Sequence, residues 1–221
     1  MVERLICNEE ISGPTPLGST LICSYLRVSM KKVIIVHGWE GSPQANWFPW
    51  LKKKLEARGF IVEIPAMPDT MHPTLNGWLA HLQNIVREPD ENTYFVGHSL
   101  GVITILRYIE SFKEHKNIGG AVLVAGFPEP IGYNELNTFF AKPLDYQRVK
   151  QTISKIIAIH SDNDPYISLK NGEILKEKLG AKLIIVSKGG HLNIEDGFTE
   201  LPVALDAVLE IAGEKLQSGS N

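Results

Sequence analysis

With 221 residues, 43% of them apolar, the chain has the size and composition of a single packed globular domain. A formal charge of −3 supplies no global basic field, so a nucleic-acid partner is not expected. Cysteine occurs only at Cys7 and Cys23, which excludes a disulfide framework over the rest of the chain, and no Asn-X-Ser/Thr acceptor is present. Both absences fit a cytoplasmic protein.

The opening Met1–Glu10 segment lacks a basic region followed by a long apolar run, so no signal peptide is expected. Residues 1–29 are read as a loose N-terminal extension, because turn formers dominate the stretch from Ser12 to Thr20. An added edge hairpin from residues 3–7 and 20–28 is the alternative. Residues 30–213 carry a repeating rhythm of short apolar runs and amphipathic stretches, and 214–221 read as a flexible tail.

The first strand is expected over Lys32–His37. Its run Val33-Ile34-Ile35-Val36 does not alternate with polar residues, which marks a strand covered on both faces. A helix follows over Trp47–Arg58, with Trp47, Trp50 and Leu51 on one face. Next come a strand at Phe60–Ile64, a helix at Leu75–Arg87, a strand at Thr93–Gly97 and a helix at Leu100–Phe112. A strand at Ala121–Ala125 leads into the longest irregular connection, from Gly126 to about Arg148. Pro128, Pro130 and Pro143 punctuate it among Tyr133, Phe139 and Phe140. It is read as a minimal cap at the mouth of the site; a crossover helix with a proline-rich entry is the alternative. Strands at Ile156–His160 and Lys182–Val186 and helices at Leu169–Leu179 and Leu201–Ala212 complete the pattern. Alternating strands and helices predict an α/β fold, a mostly parallel sheet of about six strands with helices on both faces. The longest apolar stretch, Gly119 to Phe127, is about half of what a membrane span needs, so no membrane association is expected.

The chemistry is concentrated at strand ends. Gly97-His98-Ser99-Leu100-Gly101 fits Gly-X-Ser-X-Gly, and it stands between an expected strand and an expected helix, the setting of a nucleophile elbow. A serine hydroxyl needs a base, and the base needs an orienting acid. In such a fold the chain order is serine, acid, histidine. Ser161-Asp162-Asn163-Asp164-Pro165 follows the fifth strand, and Lys188-Gly189-Gly190-His191 follows the sixth. Both loops therefore leave the carboxyl edge of the sheet, where ligands bind. His191 is the expected base. Asp162 and Asp164 both fit the acid, with a turn-capping role open to Asp162. Of the other histidines, His37 and His98 are expected to shape the site by packing, and His160 to end a strand. His72 falls in a Met-Pro-rich loop, while His81 and His115 fall on helix surfaces. The oxyanion hole is expected from the backbone N–H of Leu100 and of Trp39, the latter in His37-Gly38-Trp39-Glu40-Gly41; an ordinary strand-to-helix turn is the alternative for that loop.

From Met30 to about Ala212 the chain resembles the short serine hydrolases typified by retinoblastoma-binding protein nine and its small bacterial relatives. The resemblance rests on His37-Gly38-Trp39-Glu40-Gly41, Asn46-Trp47-Phe48-Pro49-Trp50-Leu51, Gly97-His98-Ser99-Leu100-Gly101, Asp164-Pro165 and Gly190-His191. It implies a compact α/β-hydrolase without the first strands of larger members. It also implies a triad of Ser99, Asp164 and His191, the Asp-Pro pair favouring Asp164 over Asp162. Outside that region, Leu5, Cys7 and Glu9 fit Leu-X-Cys-X-Glu, a pattern that docks on retinoblastoma-type pockets; with only three fixed positions, no such partner is expected from it.

No phosphate-binding loop, dinucleotide fingerprint, His-Glu-X-X-His or Cys-X-X-Cys is present, so neither cofactor nor metal is expected. The expected function is a carboxylesterase-like serine hydrolase acting on a small or medium acyl ester. The alternatives are thioester, amide or peptide hydrolysis with the same groups, or an interaction module on a hydrolase fold.

Overall fold

The computed structural model describes residues 30–112, 114 and 116–214. The extension 1–29, its alternative hairpin, the Leu5-Cys7-Glu9 pattern, His115 and the tail beyond residue 214 lie outside the described residues.

Strands β1 (Lys32–Val36), β2 (Ile61–Glu63), β3 (Thr93–His98), β4 (Gly120–Val124), β5 (Ile156–Ser161) and β6 (Lys182–Val186) form one sheet in the order β2-β1-β3-β4-β5-β6. Every pairing is parallel. The interior strands are apolar on both sides because both sides are covered. Along β1, Ile34 and Val36 enter one core while Val33 and Ile35 enter the other. Helices α1 (Phe48–Glu56) and α6 (Pro202–Ile211) touch each other over one face of the sheet. Helices α2 (Leu75–Ile85), α3 (Leu100–Glu110), α4 (Tyr146–Thr152) and α5 (Lys170–Leu179) form a continuous layer over the other. No helix among the described residues is long and apolar enough to cross a membrane.

The strand order positions the site. From β1 the chain moves outward to β2, then returns past β1 to β3. The loops after β1 and β3 thus leave adjacent strands toward opposite faces, opening a crevice at the carboxyl edge. The loops after β1 and β3 carry Trp39 and Ser99.

The connection from Gly126 to Arg148 is less irregular than the sequence reading has it. It contains a 3₁₀ helix over Asn134–Phe140, and α4 begins at Tyr146, capped by Asp145 Oδ1 accepting the Arg148 N–H at 2.9 Å. The cap and the crossover helix, posed as alternatives, occur in succession.

Candidate active site

The peptide at Ser99 is strained. Its φ of 54° and ψ of −120° lie outside the regions that side-chain-bearing residues prefer, and the serine directly precedes the first turn of α3. The turn is tight enough to demand glycine at position 101, where a Cβ would collide with the Val36 carbonyl at the end of β1. The free N–H groups of the first helical turn open beside the serine, Leu100 first among them. The β1 loop comes close on the other side: a Cβ on Gly38 would sit 3.0 Å from the Ser99 Cβ and 3.5 Å from its Oγ. Trp39 follows directly.

His191 and Asp164 meet. His191 Nδ1 lies 2.8 Å from Asp164 Oδ2. A carboxylate can only accept, so Nδ1 carries the proton and Nε2 is left as the basic nitrogen. The other carboxylate oxygen of Asp164 accepts the N–H groups of Tyr166 and Ile167, both at 2.9 Å. Burial works to raise the Asp164 pKa. The hydrogen bond and charge of His191, followed by the two backbone N–H groups, outweigh it and hold the carboxyl below its ordinary value.

Asp162 goes elsewhere. Its carboxylate accepts the Lys188 N–H at 2.7 Å and the Ser187 hydroxyl at 3.0 Å, so it caps the neighbouring loop and not its own turn. Ser161 Oγ accepts the Gly189 N–H at 3.0 Å and Asn163 Oδ1 accepts the Gly190 N–H at 2.8 Å. Four successive residues, Ser161 to Asp164, thereby bond to the segment from Ser187 to His191.

His37 and His98 are buried, as packing residues would be, and burial pushes the His37 pKa down. His37 accepts the Met67 N–H at Nε2. His98 Nε2 donates to the His191 carbonyl at 3.0 Å. Burial and then the neighbouring His191 push its pKa down to about 3, so it is neutral. His160 lies within β5, fully buried, with no partner on either ring nitrogen. His81 is half-buried in α2, and His72 is exposed beside Asp69.

Ser99, His191, Leu100 and Trp39 line one cavity of about 500 Å³. Phe127, Ile131, Tyr133 and Leu136 of the cap close one side, with Tyr166 and Ile167. Asn46, Asn193 and Glu195 stand on another part of its wall. The sequence reading missed Asn46 and the segment after His191 as site residues. The loop from Asn193 to Glu200 belongs to no strand or helix pattern, and only proximity to His191 could have drawn attention to it.

A model of the serine hydrolase family matches residues 33–210. The chain belongs to that family. Its relatives include YdeN of Bacillus subtilis (strain 168), 36% identical over 179 residues, spanning 80% of this chain and 94% of that protein. Serine hydrolase RBBP9 of Rattus norvegicus is 30% identical over 168 residues, spanning 74% and 88%. The crystal structure of the B. subtilis ydeN gene product superposes on this hydrolase with a TM-score of 0.80 and 34% identity, covering 84% of this chain and all of the other. Est1E from Butyrivibrio proteoclasticus, solved with ferulic acid bound, shares the fold at 14% identity and a TM-score of 0.66, covering 83% of this hydrolase and 90% of Est1E. The small α/β-hydrolase architecture expected from the motifs is thus the architecture found. No group of three or more metal-ligating side chains is assembled among the described residues.

Proposed function

We propose that this hydrolase is a carboxylesterase that cleaves small or medium acyl esters through an acyl-enzyme on Ser99. The observation that carries the reading is the shared cavity: a strained serine at a helix N-terminus and a histidine held at 2.8 Å by a buried aspartate open into the same space.

In this mechanism Ser99 Oγ attacks the ester carbonyl carbon as His191 Nε2 takes its proton. Asp164 keeps the Nδ1 proton in place and stabilises the imidazolium. The Leu100 and Trp39 N–H groups receive the charge that develops on the carbonyl oxygen. Collapse breaks the ester C–O bond, and the alcohol leaves with the proton from His191. Water then attacks the acyl-enzyme, giving its proton to His191, and the acid departs as Ser99 regains its own.

The cap supports the substrate size. Phe127, Ile131 and Leu136 give the acyl group an apolar wall on one side, and the cap that carries Leu136 is built on a single seven-residue 3₁₀ helix. A series of p-nitrophenyl esters tests this. Hydrolysis should peak at short or medium acyl chains and fall for long ones. Activity rising steadily to long chains would overturn the size assignment. No hydrolysis of any ester, with turnover of amides or thioesters, would overturn the bond assignment.

A further inference from the structure

The run Asn46-Trp47-Phe48-Pro49-Trp50 carries part of the family resemblance, yet no catalytic step uses it. Its position explains why. Asn46 and Trp47 precede α1, and both reach across to the loop that bears His191, far away in sequence. Trp47 Nε1 donates to the Leu192 carbonyl at 2.9 Å, and Asn46 Oδ1 accepts the Ile194 N–H at 3.0 Å.

That loop has no strand or helix of its own to hold it. Leu192 has φ of 54°, a left-handed conformation that a leucine adopts only when its surroundings impose it. Side chains supply the constraint. The His191 N–H is accepted by Asp196 Oδ2 at 2.6 Å, and the His191 carbonyl accepts from His98 at 3.0 Å. Asp196 comes so close that Gly190, at φ 56°, has no room for a Cβ. With Trp47 on the Leu192 carbonyl and Asn46 on the Ile194 N–H, four backbone groups from His191 to Ile194 are fixed by four side chains. The Trp47 ring is fully buried and meets the His98 ring edge-on at 6.0 Å, and His98 in turn lies 4.9 Å from the His191 ring. The segment between β1 and α1 thus carries Trp39 to the wall of the cavity and Asn46 and Trp47 to the loop that bears His191.

We infer that Asn46 and Trp47 are positioning residues for the base: they hold Leu192 and Ile194 so that His191 Nε2 is aimed at Ser99. The inference rests on the mechanism proposed above. It goes beyond that mechanism by assigning the tryptophan a task that packing alone does not include, donation from its N–H.

The test compares Trp47→Phe, which keeps an aromatic ring and removes the N–H, with Asn46→Ala and Asn46→Asp, the last retaining the acceptor oxygen. Steady-state hydrolysis of a short nitrophenyl ester, the rate of fluorophosphonate inactivation and thermal melting are measured, the kinetics well below every melting point. Trp47→Phe and Asn46→Ala should lower kcat and the inactivation rate together by roughly ten- to hundredfold, with KM within about twofold, because misplacing a catalytic group costs rate and not ground-state binding. Asn46→Asp should recover most of the loss. If Trp47→Phe and Asn46→Ala melt lower but keep kcat within about twofold of the parent, the two residues are packing only and the inference fails. Should Trp47→Phe not fold, the Asn46 pair decides alone. A parent protein that does not react with the fluorophosphonate would sink the serine mechanism itself, and the inference with it; a reactive parent with unaffected variants sinks the inference only.

Discussion

Asp162 and Asp164 show what two residues of spacing can and cannot say. Both stand in a turn after β5, both are acids, and the chain order suits either. Their fates differ because the turn folds back on itself: the Ser161 hydroxyl and the Asn163 amide bond to each other, sending Asp164 inward to His191 and leaving Asp162 exposed over Lys188. The resemblance through Asp164-Pro165 pointed to the residue that contacts His191, whereas spacing alone had no means of choosing. The two asparagines therefore should behave differently. Asp164→Asn removes the acceptor that sets the His191 tautomer and should lower kcat on the order of 10⁴. Asp162→Asn keeps an acceptor oxygen for the Lys188 N–H and should lose less than about tenfold in kcat. Parallel kinetics on one ester substrate check this; equal losses, or the reverse order, would reassign the acid.

Among the elements, strands were the most legible. Uninterrupted β-branched runs such as Val33–Val36 reflect burial on both faces, and that is a strong local signal. The helix α3 was legible for a related reason: Leu100–Ile109 is apolar nearly all round and buried all round. The helix α4 behind the cap was not, because it has only seven residues and its anchoring is tertiary. The anchor is Arg107. Its side chain is buried and paired with Glu110 at 2.9 Å. It donates to the carbonyls of Phe139, Lys142 and Pro143, while Glu110 also accepts the Asp145 N–H at 2.8 Å. Arg107→Ala strips these bonds and leaves the Glu110 carboxylate with the Asp145 N–H and the exposed Lys142 ammonium as its remaining partners. It should cost about 3–5 kcal/mol of stability, measured as a lower urea midpoint at unchanged slope. A midpoint within experimental error of the parent's would show that the cap is held by its apolar contacts instead.

At the scale of the whole molecule, the dense core sets a pH range. Burial lowers the pKa of three histidines: His37, His98 to about 3 and His160 to about 4. Unfolded, each titrates near ~6.5. Between those values the unfolded chain binds more protons than the folded one, so stability rises with pH. It should be fully present above about pH 6.5 and fall on acidification toward pH 4, by about 1.4 kcal/mol per pH unit for each histidine that stays neutral in the fold. Asp164 and Glu110, both held below their ordinary values, add losses only at still lower pH. His160 isolates the effect, since neither of its ring nitrogens has a partner to lose. Urea unfolding of the parent and of His160→Leu at pH 7.5, 6 and 5 should show a shallower decline in the variant. Equal slopes would mean that His160 is protonated in the folded state or unperturbed. None of this was visible in the sequence, where His160 is one histidine at the end of the apolar run Ile156–Ile159.

In the proposed mechanism everything depends on Ser99 being the nucleophile. Mass spectrometry after treatment with a fluorophosphonate tests it most directly, with Ser99→Ala alongside the parent. The parent should gain one adduct, on the peptide containing Gly97-His98-Ser99-Leu100-Gly101. Ser99→Ala should gain none, and its esterase kcat should fall by roughly four to six orders of magnitude. An adduct on another residue, or a clean Ser99→Ala preparation with undiminished turnover, would contradict it.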